Sequence, residues 1–497
     1  MPQSRIPSKI GSSIASSGPT QITRREVLGV LSAISLSAAL PSRVFSLRTS
    51  KPAMTHSKTR EEIEHLLKPV FQSDNPAMFR FAVDVYQRCI FGRMQPAEPP
   101  LKHPWLIPGG VYVGQWIWDT TFLTDLLAIL PNQQEFIRGI YQNYWDSQQR
   151  WTAAKPEYAH GMIANFIAPD SGPKGFTGKD WQTFPAYSQA PLIAWGVERV
   201  FLRTRDMKLV RAALLHLEAF HEWYWRERDL ENVGLVTVGS YDGVVQDARY
   251  ETYDNQVDLD TLKLIPHPGR PAGPDNGNWY GDIYIPANTA YLLLSERSLI
   301  NLAEVAEEHD LSARRLKRVK KGIAAMREHM WDEEQGCFLA VHRNGLGKLK
   351  PSTIGGMVPL QADIPTTAQA ARMAQALATP HWSTPVPLPS VDRSATEYRS
   401  DGFWRGDVWP STVFQTLQGL SHFGHRELVA DLAGRLLDNA LRVGISERYD
   451  SQSGAPLGVP NLGMSAVMLT IALEGLSPRH AIRVAHPRSS ASDPEKR

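Results

Sequence analysis

Along most of the chain, apolar residues recur every three or four positions, while strict alternation is scarce and short. The first spacing is that of an amphipathic helix and the second that of a half-buried strand. Helices are therefore predicted over 59–67, 78–90, 120–130, 133–149, 187–203, 207–228, 287–309, 312–331, 366–377, 408–423, 426–443 and 464–473. Within 287–309, Leu292, Leu299, Leu302, Val305 and Ala306 form one stripe. Ser188 near Pro191, Asn288 and Ser312 are read as helix starts. Helices following one another with loops between them predict an all-α toroid, a ring of hairpins with an inner and an outer layer. On such a rigid scaffold the loops at one end are where chemistry is expected.

The loops here are long. Residues 229–286 hold Asp242, Asp247, Glu251, Asp254, Asp258, Asp260, Asp275 and Asp282, together with Trp279 and several Tyr. A loop of this length in a compact domain is functional or disordered, and its aromatic content favours function. The ends of the chain differ in character. Thr23-Arg24-Arg25-Glu26-Val27-Leu28-Gly29 leads into a weakly apolar run ending at Pro41. That run falls short of the about 20 residues that span a membrane. Residues 1–46 are read as a twin-arginine export signal, 47–75 as a linker with a short helix, 76–476 as the catalytic domain and 477–497 as a disordered tail. The expected location is periplasmic or secreted, with the export machinery as a partner and no membrane contact in the mature form.

Composition narrows the function classes. Of 497 residues, 42% are hydrophobic, enough for a large core. Lys and Arg number 53 against 51 Asp and Glu, a net charge of +2. That balance gives no field for neutralising phosphates, so nucleic acid is not an expected partner. Cys89 and Cys337 have neither metal-site nor disulfide-framework spacing, and two buried thiols are expected. No cluster with ligand spacing calls for a metal, and no cofactor is implied.

Five segments carry candidate chemistry. The first, Gly114-Gln115-Trp116-Ile117-Trp118-Asp119-Thr120, puts two Trp and an acid at a helix start. Its ordinary reading is an N-cap beside a core pair. Tyr187-Ser188-Gln189-Ala190-Pro191 offers a Gln with both donor and acceptor. Glu251-Thr252-Tyr253-Asp254-Asn255-Gln256 lies in the acidic loop. Gly402-Phe403-Trp404-Arg405-Gly406-Asp407-Val408-Trp409-Pro410 is the most specific, since so many aromatic and charged residues are unusual for a structural turn. Ser446-Glu447-Arg448-Tyr449-Asp450 comes last, followed by Gly463-Met464-Ser465-Ala466. For any single acid the ordinary reading is a solvated loop carboxylate. A pair is what glycoside cleavage needs, one carboxyl to protonate the leaving oxygen and one to activate water. Asp254, with Tyr250, Tyr253 and Glu251 around it, suits the acid, with Asp242, Asp247 and Asp258 as rivals. Arg448 beside Glu447 is compatible with an ionised base.

In their order, these segments resemble glycoside hydrolase family 63 and its mannosylglycerate and glucosylglycerate hydrolase relatives, and more distantly the trehalases. The resemblance covers about residues 105–475 and rests on Trp-Asp, Ser-Gln-x-Pro, Asp-Asn, Trp-Arg-Gly-x-Val-Trp-Pro and a late Glu. It implies an (α/α)6 barrel and inverting hydrolysis of an α-glucosidic or α-mannosidic bond in a carbohydrate substrate. It makes Asp254 the general acid and Glu447 the general base. Trp118, Asp119, Gln189, Trp404, Arg405, Gly406 and Trp409 match pocket positions, and Phe403 is grouped with them as a substrate contact. Three positions depart from the family: Gln256-Val257-Asp258 where Ser or Ala and a nearby Arg are usual, Asp407 where Pro follows Gly, and Ser411-Thr412-Val413 where an Asn is usual. The second trehalase signature is absent, so trehalose is not the expected substrate. A sugar epimerase or phosphorylase on the same ring, or a binding protein without catalysis, are the alternatives. An epimerase would need paired histidines, and His160, His221, His267 and His422 are scattered in sequence.

Overall fold

The computed structural model describes residues 58–154, 159–172, 188–240, 260–267 and 279–485. All of them belong to the unit Ala53–Arg497. Residues 1–46, read as an export signal, lie outside the described residues, as do 241–259, 268–278 and 486–497. Of the tail expected over 477–497, the described part up to 485 forms a 3-10 turn at Pro478–His480 and the strand Arg483–Val484.

Helix α1 (Arg60–Leu67) leads into outer helix α2 (Pro76–Asp84), which continues through a π-turn at Val85–Ile90. Then come α3 (Ile117–Leu127), α4 (Gln134–Ala154), α5 (Ile193–Thr204), α6 (Met207–Arg228), α7 (Pro286–Val305) and α8 (His309–Ala325). Two 3-10 turns, Ile354–Gly356 and Val358–Leu360, precede α9 (Thr367–Leu377), α10 (Pro410–His422) and α11 (Arg426–Val443). A 3-10 turn at Gly463–Ala466 runs into α12 (Val467–Leu473).

Packing sorts these elements into two layers. α3 packs on α5, α5 on α7, α7 on the Val358–Leu360 turn, that turn on α10 and α10 on α12. The Gly463–Ala466 turn then packs back on α3 and closes the ring. Each inner element follows an outer helix in sequence, giving an (α/α)6 toroid. The sequence explains which layer each joins. Every residue of α3 is buried, from Ile117 to Leu127, with Asp119, Asp125 and three Thr among them. Its place in the inner layer therefore rests on burial of polar as well as apolar side chains, and the buried polar groups are hydrogen-bonded. α8 buries Leu311, Arg315, Val319, Gly322 and Ala325 and turns its lysines outward, the single stripe of an outer helix. Each Phe or Leu fully buried this way contributes about 1.5–3 kcal/mol.

The predicted helix starts need correction. α7 begins at Pro286 after Ile285, with no side-chain cap. Proline at the first position needs none, because its missing N–H would have had no helical partner. Asn288 lies inside that helix and its Nδ2 donates to Thr237 O at 3.0 Å. Ser312 lies inside α8, and α5 starts at Ile193 after Leu192 rather than near Ser188. Reciprocal capping boxes occur instead at Thr59 with Glu62 and at Thr366 with Gln369. Phe71–Gln72 pairs antiparallel with Arg483–Val484, so the packed body takes in both flanks of 76–476. Cys89 and Cys337 are buried and free.

Candidate active site

Contacts between the starts of the inner elements place these starts together at one end of the toroid. The Trp118 N–H, in the first turn of α3, donates to Gln189 Oε1, just ahead of α5, at 2.9 Å. The Met464 N–H donates to Asp119 Oδ1 across the ring closure at 3.0 Å. Tyr291 of α7 donates to Gln415 Oε1 of α10 at 3.1 Å. Asp119 is therefore no N-cap. It sits inside α3 and binds the neighbouring Gly463–Ala466 turn where the ring closes. Burial pushes its carboxyl up to about 7; the Met464 N–H opposes the rise and the nearby negative charge of Glu447 adds to it.

Glu447 stands on the strand Ser446–Tyr449, which pairs with Pro456–Pro460 through a bulge between Ser446 and Arg448. The strand is pinned on its other side, where Val408 and Tyr449 exchange backbone bonds of 2.8 and 2.9 Å. The Glu447 side chain is buried, and both of its oxygens accept hydrogen bonds. Tyr112 Oη donates to Oε1 at 2.7 Å and the Val459 N–H to Oε2 at 2.8 Å. Gly458 has a φ of +72°, and a Cβ there would fall 2.1 Å from Glu447 Oε2. Glycine satisfies both demands, since it tolerates positive φ and lets the carboxylate lie against the backbone.

The aromatic walls differ in exposure. Trp116 stacks on Phe166 at 4.6 Å and meets Tyr112 edge-on. Trp118 is fully buried, edge-on to Tyr291 at 5.1 Å and to Phe122 at 5.7 Å. Trp404 and Trp409 lie parallel, with centroids 4.2 Å apart and planes 4° apart. Phe403, 44% exposed, sits edge-on to Trp409. Trp404 has a φ of +52°, a conformation a bulky side chain rarely adopts and one that concentrates at functional sites.

Other candidates have different surroundings. Arg405 pairs with Asp260. Gly406 donates its N–H to Ser390 Oγ at 2.8 Å, and a Cβ would meet the Tyr398 ring at 2.7 Å, so its part is in the turn. Gln189 O accepts from Tyr224 Oη at 2.7 Å. Gln189 Nε2 is buried with no partner among the described residues. Asp254 and its rivals Asp242, Asp247 and Asp258 lie outside the described residues. Arg448 does not serve Glu447; its Nη1 donates to Asp407 Oδ2 at 3.0 Å. The bulge falls at Glu447, and the two neighbours take different partners, so adjacency in sequence misled. Sequence reasoning also missed Tyr112, the Val459 and Met464 amides, and Asp407. Of these, Asp407 carried a signal as a departure within the fourth segment, and Met464 lies in the Gly463-Met464-Ser465-Ala466 stretch that follows the fifth. Asp407 has a setting of its own. It is fully buried, and burial pushes its carboxyl up to about 7, with Arg448 the first of the groups opposing this.

Among the described residues, no group of three or more His, Cys, Asp or Glu is placed to hold a metal ion. None of the described helices is long and apolar enough to cross a membrane. A cavity of about 580 Å³ lies between Trp195, Glu198, Arg297, Asn301, Gln361 and Asp363. It contains none of the candidate residues; within it Arg297 pairs with Asp363, and Glu198 accepts hydrogen bonds from Ser298 and Asn301.

Residues 112–465 match the model of the mannosylglycerate hydrolase MGH1-like glycoside hydrolase domain, a span that runs from Tyr112 past Glu447 to Ser465. The chain belongs to this family. As an MGH1-like glycoside hydrolase it is 21% identical over 404 residues to mannosylglycerate hydrolase MGH1 of Selaginella moellendorffii, covering 72% of this chain and 80% of that one. It is 28% identical over 193 residues to mannosylglycerate hydrolase of Rubrobacter radiotolerans, covering 37% of this chain and 42% of that one. The fold is shared with the GH63 mannosylglycerate hydrolase from Thermus thermophilus in complex with Tris, at a TM-score of 0.60 and 20% identity, over 79% of this chain and 99% of that one. It is shared too with neutral trehalase Nth1 of Saccharomyces cerevisiae, at 0.56 and 15% identity, over 77% and 76%.

Proposed function

We propose that this glycoside hydrolase cleaves an α-glucosidic or α-mannosidic bond of a small glycoside or oligosaccharide with inversion, Glu447 acting as general base and Asp254 as general acid. The observation that carries the reading is the setting of Glu447. It is a buried carboxylate at the functional end of the ring, held by two donors and next to Asp119. A carboxylate fixed in this way can orient a water and take its proton as the anomeric carbon is attacked. The mannosylglycerate hydrolases among the relatives support a small glycoside as substrate. Gln189 Nε2, a buried donor without a partner among the described residues, supports a polar ligand, since an unmet donor costs about 1–3 kcal/mol. In this reading Trp118, Asp119, Gln189, Phe403, Trp404, Arg405 and Trp409 surround the sugar, and Gly406 shapes the turn that carries three of them.

Product stereochemistry tests the mechanism. NMR in the first minutes of hydrolysis of an α-linked substrate is expected to show the β-anomer before mutarotation. The α-anomer first would overturn inversion. An inverting pair leaves room for water, with carboxyls roughly 6.5–9.5 Å apart. Tyr112→Phe removes one of the two donors on Glu447 and is expected to lower kcat by ~10-fold, the worth of one hydrogen bond to a charged group. An unchanged kcat in Tyr112→Phe would remove Tyr112 from the positioning of the base. For residues 1–46 the proposal is twin-arginine export to the periplasm or beyond. Replacing Arg24 and Arg25 with Lys is expected to retain the protein in the cytoplasm on fractionation, and normal export of that variant would overturn the reading.

A further inference from the structure

Asp407 makes more contacts than a turn residue needs. Its Oδ1 accepts from Ser390 Oγ at 2.8 Å, from Trp409 Nε1 at 3.0 Å and from the Trp404 N–H at 3.1 Å. Its Oδ2 accepts from Arg448 Nη1 at 3.0 Å. Four donors converge on one fully buried carboxylate. Two of them fix the stacked Trp404–Trp409 pair, one through a backbone N–H and one through an indole N–H. A third belongs to Arg448, the residue after Glu447. The Val408–Tyr449 backbone pair ties the same loop and strand a second time. Arg448 also lies over the Phe403 ring, 5.3 Å from its centroid, and donates to Asp401 O at 3.2 Å. The Asp407 side chain therefore joins both tryptophans of the aromatic segment 403–409 to the base-bearing strand.

We propose that Asp407 is a positioning residue that couples the Trp404–Trp409 stack to the strand presenting Glu447, so that sugar contact and base placement are set together. The proposal rests on the reading of Glu447 as base. A buried carboxylate that pairs with a guanidinium fixes geometry because releasing either partner leaves the other desolvated. The coupling acts through Arg448, which anchors the strand at the residue after Glu447. It also acts through Trp409, whose indole plane is set by its bond to Oδ1. A side-chain network of this kind behaves as a unit, so removing either partner disturbs both ends.

The test is a double-mutant cycle with Asp407→Asn, Arg448→Gln and the pair together. It reads kcat and KM per folded enzyme, plus the indole N–H resonance of Trp409 in 15N-tryptophan-labelled protein, assigned with Trp409→Phe. Asp407→Asn is expected to lower kcat by ~10- to 100-fold, the cost of misplacing a group near the chemistry, and to shift the Trp409 indole resonance upfield. Arg448→Gln is expected to lower kcat to a similar extent while leaving that resonance near its native position. The double variant is expected to be no slower than Asp407→Asn within a few-fold, because the two act along one path. A residue that only supported the fold would reduce the yield of folded enzyme and its Tm, with kcat per folded molecule unchanged. Native kcat in folded Asp407→Asn, or losses that multiply in the double variant, would overturn the proposal. If Asp407→Asn does not fold, Arg448→Gln decides, and native kcat and KM there would overturn it equally. Activity retained in Glu447→Gln would remove the base reading alone, since the indole shift and the 407–448 coupling are read without it.

Discussion

Glu447→Gln is expected to abolish hydrolysis of every substrate, with a loss of at least ~10²-fold, the lower range for a positioned acid–base group. The substitution keeps the shape of the side chain in a site that leaves little room, since Gly458 lies directly against it. Both of its bonds can survive, because the amide oxygen accepts from the Val459 N–H while the amide nitrogen donates to Tyr112 Oη, a hydroxyl that accepts as well as donates. What the variant cannot do is take a proton from water, and among the described residues its carboxylate neighbour is not free to replace it. Asp119 is buried and already bound to the Met464 N–H. Asp254→Asn is expected to behave differently. Its loss should be large for a sugar leaving group and smaller for an aryloxide that departs without a proton. The assay is kcat for aryl and sugar α-glycosides, with Tm measured alongside to show that each variant folds. Full activity in Glu447→Gln would remove it as the base. An active Asp254→Asn beside an inactive Asp242→Asn would move the acid within the loop.

What the chain disclosed in advance follows from the range of the signals it carries. The helices at 207–228 and 426–443 were readable to the residue, because Asp206 caps one and Gly444 ends the other at a φ of +91°. The inner element at 354–360 was missed altogether. It is two 3-10 turns containing Gly355, Gly356 and Pro359, too short to show any period. The helix predicted over 464–473 is a 3-10 turn followed by a short α-helix. The site segments were visible because an acid or a Trp at an inner-helix start is a local feature. Their partners were invisible for the opposite reason. Tyr112 meets Glu447 across 335 positions, and Met464 meets Asp119 across 345. Both pairings exist only because the ring closes. Arg448 shows the converse error, in which a sequence neighbour of Glu447 pairs elsewhere, with Asp407.

The same closure predicts a stability effect well away from the chemistry. Asp125 lies near the far end of α3 and is almost fully buried. Arg203 donates to it from Nε at 2.5 Å and from Nη2 at 3.1 Å, and Arg199 from Nη2 at 2.8 Å. Arg199 also reaches Glu474, just past α12, at 2.7 Å. One carboxylate thus binds α3 to α5 and, through Arg199, to the last inner element. Burial alone would push its carboxyl up, but Arg199 and Arg203 outweigh that and hold it at about 2. Because the folded value lies below the unfolded one of 3.8, the stabilisation is present above that unfolded value. It is lost as pH falls through about 2. The linked free energy is roughly 2–3 kcal/mol. Asp125→Asn at neutral pH leaves two partly buried guanidiniums facing an amide and is expected to cost about 3–5 kcal/mol. That is a large share of the roughly 5–15 kcal/mol typical of a folded protein, and the Tm should fall by roughly 3–5 °C, since the unfolding entropy of so long a chain is large. Thermal and urea unfolding at pH 7 and at pH 3 check both parts. The stability gap between native and variant protein should be wide at pH 7 and narrower at pH 3, while kcat per folded molecule stays close to native. Equal Tm values at pH 7, or a gap that does not narrow in acid, would remove Asp125 as the clasp of the ring.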